Sequence, residues 1–277
     1  MGIVFWGYSS KMRLSRSVRI PLLCFLLALF CGTLTGCVTY YNSATQRNET
    51  AWLSMDQEDS IAINTLRVKL KDKVIVKDER SLRVARALAA PINSPRISKK
   101  YIIVYEDKDV QAFTPGGGYI VVSTGLLAAA TEDELAAVIA HEMGHDEARH
   151  VMKMVESGLG TQTVLSLAYL LDTRPADKKD QTWQYFSQAA NVIYTLTANG
   201  FSRRDEYEAD RLSIRYMSHS GYDPEAMVTF LEKLQKLGEG TNWVYFLRSH
   251  PYLSERIVAA KEEIAKYGSR GNMYLKD

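Results

Sequence analysis

The sequence has few cysteines, few prolines and no marked excess of charge of either sign. Its 277 residues include three cysteines and seven prolines, and the formal net charge is +2. Such a small positive excess gives no reason to expect a nucleic-acid partner, because nucleic-acid-binding proteins present a strongly basic face. With 46% hydrophobic residues, a mainly disordered or collagen-like chain is excluded. The length suffices for one sizeable core.

The first 36 residues differ in charge from the rest of the chain. They hold four basic residues and no acidic one, so the remainder carries 30 basic and 32 acidic side chains. An apolar run follows over residues 20–30, which is short for a membrane span of about 20 residues. Basic residues, a short apolar run and small residues, in this order, predict a secretory signal peptide over residues 1–36. A single N-terminal membrane helix is the alternative.

The end of this leader, Leu-Thr-Gly-Cys over residues 34–37, resembles the bacterial lipobox, which is cleaved before a diacylated cysteine. The resemblance implies that Cys37 begins the mature chain and anchors it to a membrane, each buried CH₂ contributing about 0.8 kcal/mol. The other cysteines, Cys24 and Cys31, lie inside the leader, so the mature chain has no thiol left for a disulfide. Val38 stands where an Asp favours retention in the inner membrane. We therefore expect anchoring in the outer membrane, facing the periplasm.

After the leader, we predict a polar tether over residues 37–60 and one domain over residues 61–277. A helix with apolar positions from Leu82 to Ala89 ends before Pro91. Two β-rich segments, residues 101–105 and 119–122, flank a second extended segment and the turn sequence Pro-Gly-Gly-Gly of residues 115–118. This block predicts a small antiparallel sheet.

From Thr131 onward the chain is predicted to be mostly helical. Thr131 and Glu134 fit a capping box, which begins a helix expected to run past His145 to about Met154. Further helices are predicted over residues 183–199, 203–218 and 224–237, and a last one from about Ser254. The fold class is therefore α+β and mainly helical.

The chemistry is concentrated in the sequence His141-Glu142-Met143-Gly144-His145. Two histidines four residues apart leave the same face of a helix, so both can bind one tetrahedral zinc ion while the intervening Glu142 reaches the attacking water. The alternative is a solvated helix with incidental histidines, but the residues before the motif are apolar, and buried imidazoles need partners. His150 points about 140° away on a continuous helix and cannot join the site from there.

A third ligand is required, and the best candidates lie between residues 202 and 210. Glu206 and Asp210 are four residues apart and share one helix face. One carboxylate can bind the metal while the other accepts a hydrogen bond from a ligating histidine. Exposed helix charge is the alternative for either residue.

These motifs together resemble the gluzincin metallopeptidases that include HtpX, the Oma-type proteases and the CAAX prenyl proteases, and most closely their periplasmic BepA/LoiP-like branch. The resemblance covers roughly residues 82–257. It implies a zincin fold with a small sheet beside the HExxH helix, and one zinc ion held by His141, His145 and Glu206. It also implies that Glu142 is the general base and that Asp210 is the partner of His141.

The resemblance extends to two further segments. Gln111-Ala112-Phe113 corresponds to the family's Asn-Ala-Phe strand near the cleft, with Gln in place of Asn. We expect this segment to bind substrate as a sheet edge, because backbone hydrogen bonds hold a peptide without demanding a sequence; a plain hairpin is the alternative. His250, before Pro251, matches the family's His-Pro segment and is our candidate oxyanion donor. A fourth metal ligand or a surface histidine are its alternatives.

The sequence thus predicts a zinc endopeptidase of the bacterial cell envelope that acts on misfolded or unassembled envelope or outer-membrane proteins. Two other classes compete with this prediction. A chaperone-like or assembly-binding lipoprotein would use the same cleft with little proteolysis, but it has no need of Glu142. A zinc-stabilised structural lipoprotein would prefer four protein ligands and a closed site.

Overall fold

The structure is a computed structural model that describes residues 38–42, 46–92, 94, 101–158, 193, 195, 199–237 and 242–270. The predicted signal peptide and Cys37 lie outside these residues. Within them, no helix is long and apolar enough to cross a membrane.

The described chain begins with an antiparallel ribbon. Strands β1 (Val38–Asn42) and β2 (Arg47–Ala51) pair with Val38 opposite Ala51 and Asn42 opposite Arg47. Asn42 and Ala51 are buried, and the Tyr40 ring lies 4.8 Å from the guanidinium carbon of Arg149. The prediction of a polar tether is therefore wrong for these residues, because the ribbon buries one of its faces against the rest of the domain.

Two capped helices follow the ribbon. Helix α1 (Met55–Lys69) begins at Ser54, whose hydroxyl accepts from the amide of Gln57 while the Gln57 side chain accepts from the amide of Ser54. After the short strand β3 (Ile75–Val76), helix α2 (Glu79–Ala89) is capped by Asp78 and ends before Pro91. The predicted helix with apolar residues from Leu82 to Ala89 is confirmed.

The central sheet contains β3, β4 (Tyr101–Tyr105), β5 (Ala112–Gly116) and β6 (Tyr119–Ser123) in the order β3-β4-β6-β5. The pair β5–β6 is antiparallel as predicted, and β3, a strand that was not predicted, is antiparallel to β4. By contrast, β4 and β6 run parallel. The reason is the position of β5, which lies at the end of the sheet. Its tight turn returns β6 between β5 and β4, in the direction of β4.

Helix α3 (Thr124–Ala129) leads to helix α4 (Glu132–Glu147), which carries the His-Glu-Met-Gly-His motif. The capping box of Thr131 and Glu134 at its start is confirmed. The prediction that this helix continues to Met154 is wrong. Arg149 has a positive φ of 58° that breaks the helix, and α5 (His150–Gly158) starts at the next residue. Two carboxylates hold the buried guanidinium of Arg149 in this bend, Glu58 at 2.6 Å and Glu156 at 2.9 Å.

The remaining helices are α6 (Arg203–Ser220), α7 (Glu225–Leu237), α8 (Val244–Ser249) and α9 (Leu253–Arg270). The predicted helices over residues 203–218, over residues 224–237 and from about Ser254 correspond to α6, α7 and α9. The predicted helix over residues 183–199 lies almost entirely outside the described residues. Helix α4 packs directly on α6, and Gly144 makes the contact close, since a Cβ atom there would lie 2.9 Å from the carbonyl oxygen of Ala209. The main core lies around α4, α6 and α7. The mainly helical α+β class is confirmed.

Candidate active site

Helices α4 and α6 bring three of the predicted ligands together at their interface. His141 Nε2 and His145 Nε2 lie 3.0 Å apart. The two carboxylate oxygens of Glu206 lie 3.5 Å from His141 Nε2 and 3.4 Å from His145 Nε2. All three side chains are buried. The one-turn spacing of the histidines and the close α4–α6 approach produce this arrangement.

These distances fit a zinc ion. With metal–ligand bonds of 2.0–2.2 Å, the ligand atoms of a tetrahedral site lie about 3.3 Å apart. The three donors, together with one atom of His250, all lie within 4.8 Å of one another. Two imidazole nitrogens and a carboxylate are a donor set that zinc prefers. The cluster can therefore hold the ion.

His250, the cap residue after α8, joins the same cluster. Its Nδ1 lies 3.2 Å from His141 Nε2 and 3.2 Å from Glu206 Oε1, and its Nε2 lies 3.2 Å from Glu142 Oε1. Only 1% of it is exposed, so the alternative of a surface histidine is wrong. Burial alone lowers the pKa of His250, but Glu206 and Glu142 outweigh burial and raise the pKa to about 9.

The electrostatics keep Glu142 ionised and His145 neutral. Burial raises the pKa of the Glu142 carboxyl, but the nearby imidazoles, His250 first, outweigh it and leave the pKa below its usual value. Burial lowers the pKa of His145 to about 3, against the opposing effect of Glu206. An ionised carboxylate can accept a proton, and a neutral imidazole can bind a metal.

Asp210, one turn after Glu206, lies behind His141. Its Oδ1 lies 2.8 Å from His141 Nδ1, on the side of the ring away from the other ligands. A carboxylate in this position fixes the tautomer of a ligating histidine. The geometry is that expected of the partner predicted for His141.

Arg256, in the first turn of α9, is a site residue that the sequence reasoning did not single out. Its guanidinium donates two hydrogen bonds to Asp210, at 2.6 and 2.7 Å, and lies 2.5 Å from Glu206 Oε2. Burial raises the pKa of both carboxyls, but Arg256 and the neighbouring histidines together outweigh it and lower both. Arg256 follows His250 by six residues, and this was the one sequence feature that pointed toward the site. Because Arg256 lies on a different helix from Asp210 and Glu206, no helical spacing could predict its contact with them.

His150 contacts the site by a route that the sequence did not predict. Its Nδ1 lies 2.8 Å from Nδ1 of His145, on the side opposite the metal-facing nitrogen. The predicted angle of about 140° assumed a continuous helix, whereas the bend at Arg149 turns His150 back toward His145. Phe201 covers the same ligand, its ring stacked on His145 at a centroid distance of 3.8 Å.

The predicted substrate segment lies at the edge of the sheet, since β5 is its last strand. Ala112 and Phe113 are buried. The side chain of Gln111 accepts a hydrogen bond from Tyr105 Oη at 2.8 Å, so it supports the sheet. Substrate binding by this segment stays a prediction.

A second unpredicted residue, Lys69 at the end of α1, lies over this edge strand. Its Nζ lies 3.6 Å from the centre of the Phe113 ring and donates a hydrogen bond to Tyr245 Oη at 3.0 Å. Burial lowers the pKa of Lys69 to about 7, and Glu142 opposes the decrease. Only the fold brings α1 to the site, and no motif in the sequence around Lys69 pointed to it.

Comparison with known proteins agrees with this geometry. The profile described as "Peptidase family M48" matches residues 77–264. The chain is 34% identical to "Metalloprotease LoiP" of Escherichia coli (strain K12) over 190 residues, which are 69% of this chain and 71% of that protein.

Two longer proteins are also similar. "Mitochondrial metalloendopeptidase OMA1" of Arabidopsis thaliana is 34% identical over 66% of this chain and 34% of its own length. "Beta-barrel assembly-enhancing protease" of Escherichia coli (strain K12) is 28% identical over 63% of this chain and 36% of its own. This chain therefore spans only about a third of each. The resemblance to the HtpX, Oma and BepA/LoiP-like metallopeptidases is confirmed.

Proposed function

Since this chain belongs to peptidase family M48 and is a zinc metalloprotease, we propose that it is an endopeptidase of the bacterial cell envelope. In this proposal it hydrolyses peptide bonds of misfolded or unassembled envelope proteins, including outer-membrane proteins. The observation that carries the proposal is the buried group of His141, His145 and Glu206 with Glu142 beside it. A purely structural zinc site has no use for an ionised carboxylate next to its ligands.

The proposed mechanism assigns one task to each residue. His141, His145 and Glu206 hold zinc, which when bound polarises the scissile carbonyl and lowers the pKa of water toward about 7. Glu142 accepts the proton of the attacking water and delivers it to the leaving amine. The Glu142 carboxyl is ionised at neutral pH, so it is free to accept this proton.

The residues around the ligands hold them in place. Asp210 fixes the tautomer of His141, and Arg256 balances the charge of the Asp210 and Glu206 carboxylates. His250 lies among the ligand atoms and beside Glu142, where its imidazole can donate a hydrogen bond to the developing oxyanion. Its place among the ligand atoms also suits a fourth ligand, and the two roles differ in whether a His250→Ala variant keeps full zinc affinity.

The test is cleavage of an unfolded outer-membrane protein by the wild type and by Glu142→Gln. We expect the variant to keep its zinc and its melting temperature and to lose about 10²–10⁴-fold in rate, because the amide cannot accept a proton. The matched control is Glu132→Gln on the same helix, where the exposed carboxylate pairs with Arg83 at the surface; it should cleave normally. A folded, zinc-loaded wild type without cleavage favours the chaperone-like alternative. Equal cleavage by wild type and Glu142→Gln contradicts the assignment of the base.

We also propose that Cys37 carries the lipid that anchors the chain in the outer membrane, facing the periplasm, which the lipobox resemblance of residues 34–37 supports. Labelling cells with a radioactive fatty acid tests this. Cys37→Ala should lose the label, and the matched variant Cys31→Ala, within the leader, should keep it. An unlabelled wild type, or a labelled Cys37→Ala, contradicts the anchor.

A further inference from the structure

A cavity of about 600 Å³ lies outside the metal-binding cluster and is lined mostly by arginines. Its lining residues come from β2 and from the first three turns of α6: Arg47, Arg203, Arg204, Tyr207, Glu208 and Arg211. We call this surface the arginine groove. Four cations around one cavity, with a single carboxylate among the lining residues, make it strongly electropositive.

The acidic neighbours do not cancel this charge. Glu208 is buried, and its Oε2 lies 3.6 Å from His150 Nε2, so its charge is directed inward. Glu255 lies 3.6 Å from Arg203, where both side chains are about half exposed, and an ion pair of that kind contributes little. Arg47 and Arg204 are exposed. Anions from outside can therefore reach the groove.

The sequence of α6 disfavours this arrangement locally. Arg203 and Arg204 lie in the first turn of the helix, where the positive end of the helix dipole repels cations by typically 0.3–1 kcal/mol each. Arg47 is added from a different element. Asp205 and Glu206 lie in the same turn, and Arg203 also contacts Glu255 and the Tyr252 ring, so part of this repulsion is offset.

One residue of the groove lies close to the predicted lipid site along the ribbon. Arg47 lies opposite Asn42 in the ribbon. Asn42 is four residues after Val38, a distance of about 13 Å along the strand. Val38 follows Cys37, the predicted lipid site.

We propose that the arginine groove binds phosphate groups of anionic lipids in the membrane to which the chain is anchored, an inference that rests on the proposed lipid site at Cys37. Arginine forms bidentate hydrogen bonds with phosphate oxygens, and several arginines around one cavity suit a phosphorylated headgroup. This contact goes beyond peptide hydrolysis and requires neither zinc nor lipidation. It orients the domain on the bilayer.

The test is binding of the full chain to lipid vesicles in a Cys37→Ala background, so that no acyl chain contributes. We compare vesicles rich in phosphatidylglycerol with vesicles of phosphatidylcholine alone. Each of Arg47→Gln and Arg204→Gln should weaken binding to the anionic vesicles about fivefold, and the double variant about 25-fold, as expected for about 1 kcal/mol per arginine at a membrane surface. Binding to phosphatidylcholine should not change.

The matched control is Arg86→Gln, which removes one exposed arginine from α2 and should bind as the parent does. Zinc content and peptide cleavage, measured alongside, should be equal in all variants, so that loss of the vesicle contact is distinguishable from loss of the peptidase. If the double variant does not fold, the two single variants test the proposal on their own, because Arg47 and Arg204 lie on separate elements.

Three outcomes overturn the proposal. The groove variants could bind anionic vesicles as tightly as the parent. Arg86→Gln could lose as much as Arg204→Gln, which would mean that binding follows total charge only. Alternatively, the groove variants could keep vesicle binding and lose binding of a polyglutamate peptide, which would assign the groove to acidic polypeptides.

Discussion

Two cationic side chains are buried beside the metal-binding cluster, and they respond to burial in opposite ways. Arg256 enters from α9 and meets the carboxylates of Asp210 and Glu206 at 2.5–2.7 Å. Lys69 enters from α1 and meets the ring of Phe113 and the hydroxyl of Tyr245. Burial disfavours both charges, but the pKa of Arg256 is raised whereas that of Lys69 falls to about 7.

The difference shows that direct contact with carboxylates decides whether a buried charge is retained. Asp210 and Glu206 form hydrogen bonds and ion pairs with Arg256, and their attraction exceeds the cost of burial. Glu142 attracts Lys69 as well, but this only reduces the decrease. The α6–α9 side is therefore a fixed charged network, and the α1–β5 side holds an amine that can lose its proton near neutral pH.

The two sides also differ in what they give the site. Helix α6 supplies one predicted zinc ligand and the partner of another, and two neighbouring carboxylates repel each other unless a cation lies between them. Arg256 supplies that cation. Lys69 instead lies over the predicted substrate strand, where its charge state alters the surroundings of Glu142.

Of the two buried cations, we expect the larger change in the free energy of unfolding when Arg256 is replaced, in the variant Arg256→Met. The variant leaves two buried carboxylates without their cation, which should lower the free energy of unfolding by about 3–5 kcal/mol in chelator-treated protein. Zinc should recover part of the loss, because the metal also attracts Glu206. Urea unfolding with and without zinc measures both.

The matched control is Arg215→Met on α6. Arg215 lies 3.9 Å from Glu263, and both side chains are partly exposed, so the change should stay within about 1 kcal/mol. A loss below about 1 kcal/mol for Arg256→Met as well would mean that the carboxylates find other partners or bind protons at little cost.

The contrast between Arg256 and Lys69 explains what the sequence could predict. The His-Glu-Met-Gly-His motif and the capping box of Thr131 and Glu134 are local patterns, and the structure has both within α4. The face shared by Glu206 and Asp210 is likewise a property of one helix. Helical periodicity carries this information within a few turns, so these predictions needed no tertiary knowledge.

Contacts between distant segments could not be predicted in this way. Arg256 lies 46 residues from Asp210, and Lys69 lies 176 residues from Tyr245. The β1–β2 ribbon has the polar composition of a tether and is ordered by packing against Arg149. The parallel β4–β6 pair depends on strand order, which no single strand encodes.

The smaller effect belongs to Lys69→Met, and it should have the opposite sign. An unfolded lysine has a pKa of 10.5, compared with about 7 in the fold. Below pH 7 both states hold the proton, and the folded chain bears the full cost of burying the charge. Between pH 7 and 10.5 the unfolded chain holds a proton that the folded chain has released, so the free energy of unfolding rises with pH.

Replacing Lys69 by Met removes this cost and keeps the length of the side chain, while it also gives up the contacts with Phe113 and Tyr245. We therefore expect a net gain of about 1–2 kcal/mol in the free energy of unfolding near pH 6 that turns into a net loss near pH 10, where the folded lysine is neutral and only the lost contacts count. Urea unfolding at both pH values measures it, with the exposed Lys71→Met as the matched control that subtracts all other titrations. An equal gain at both pH values would show that packing, and not the buried charge, distinguishes Lys69 from Arg256.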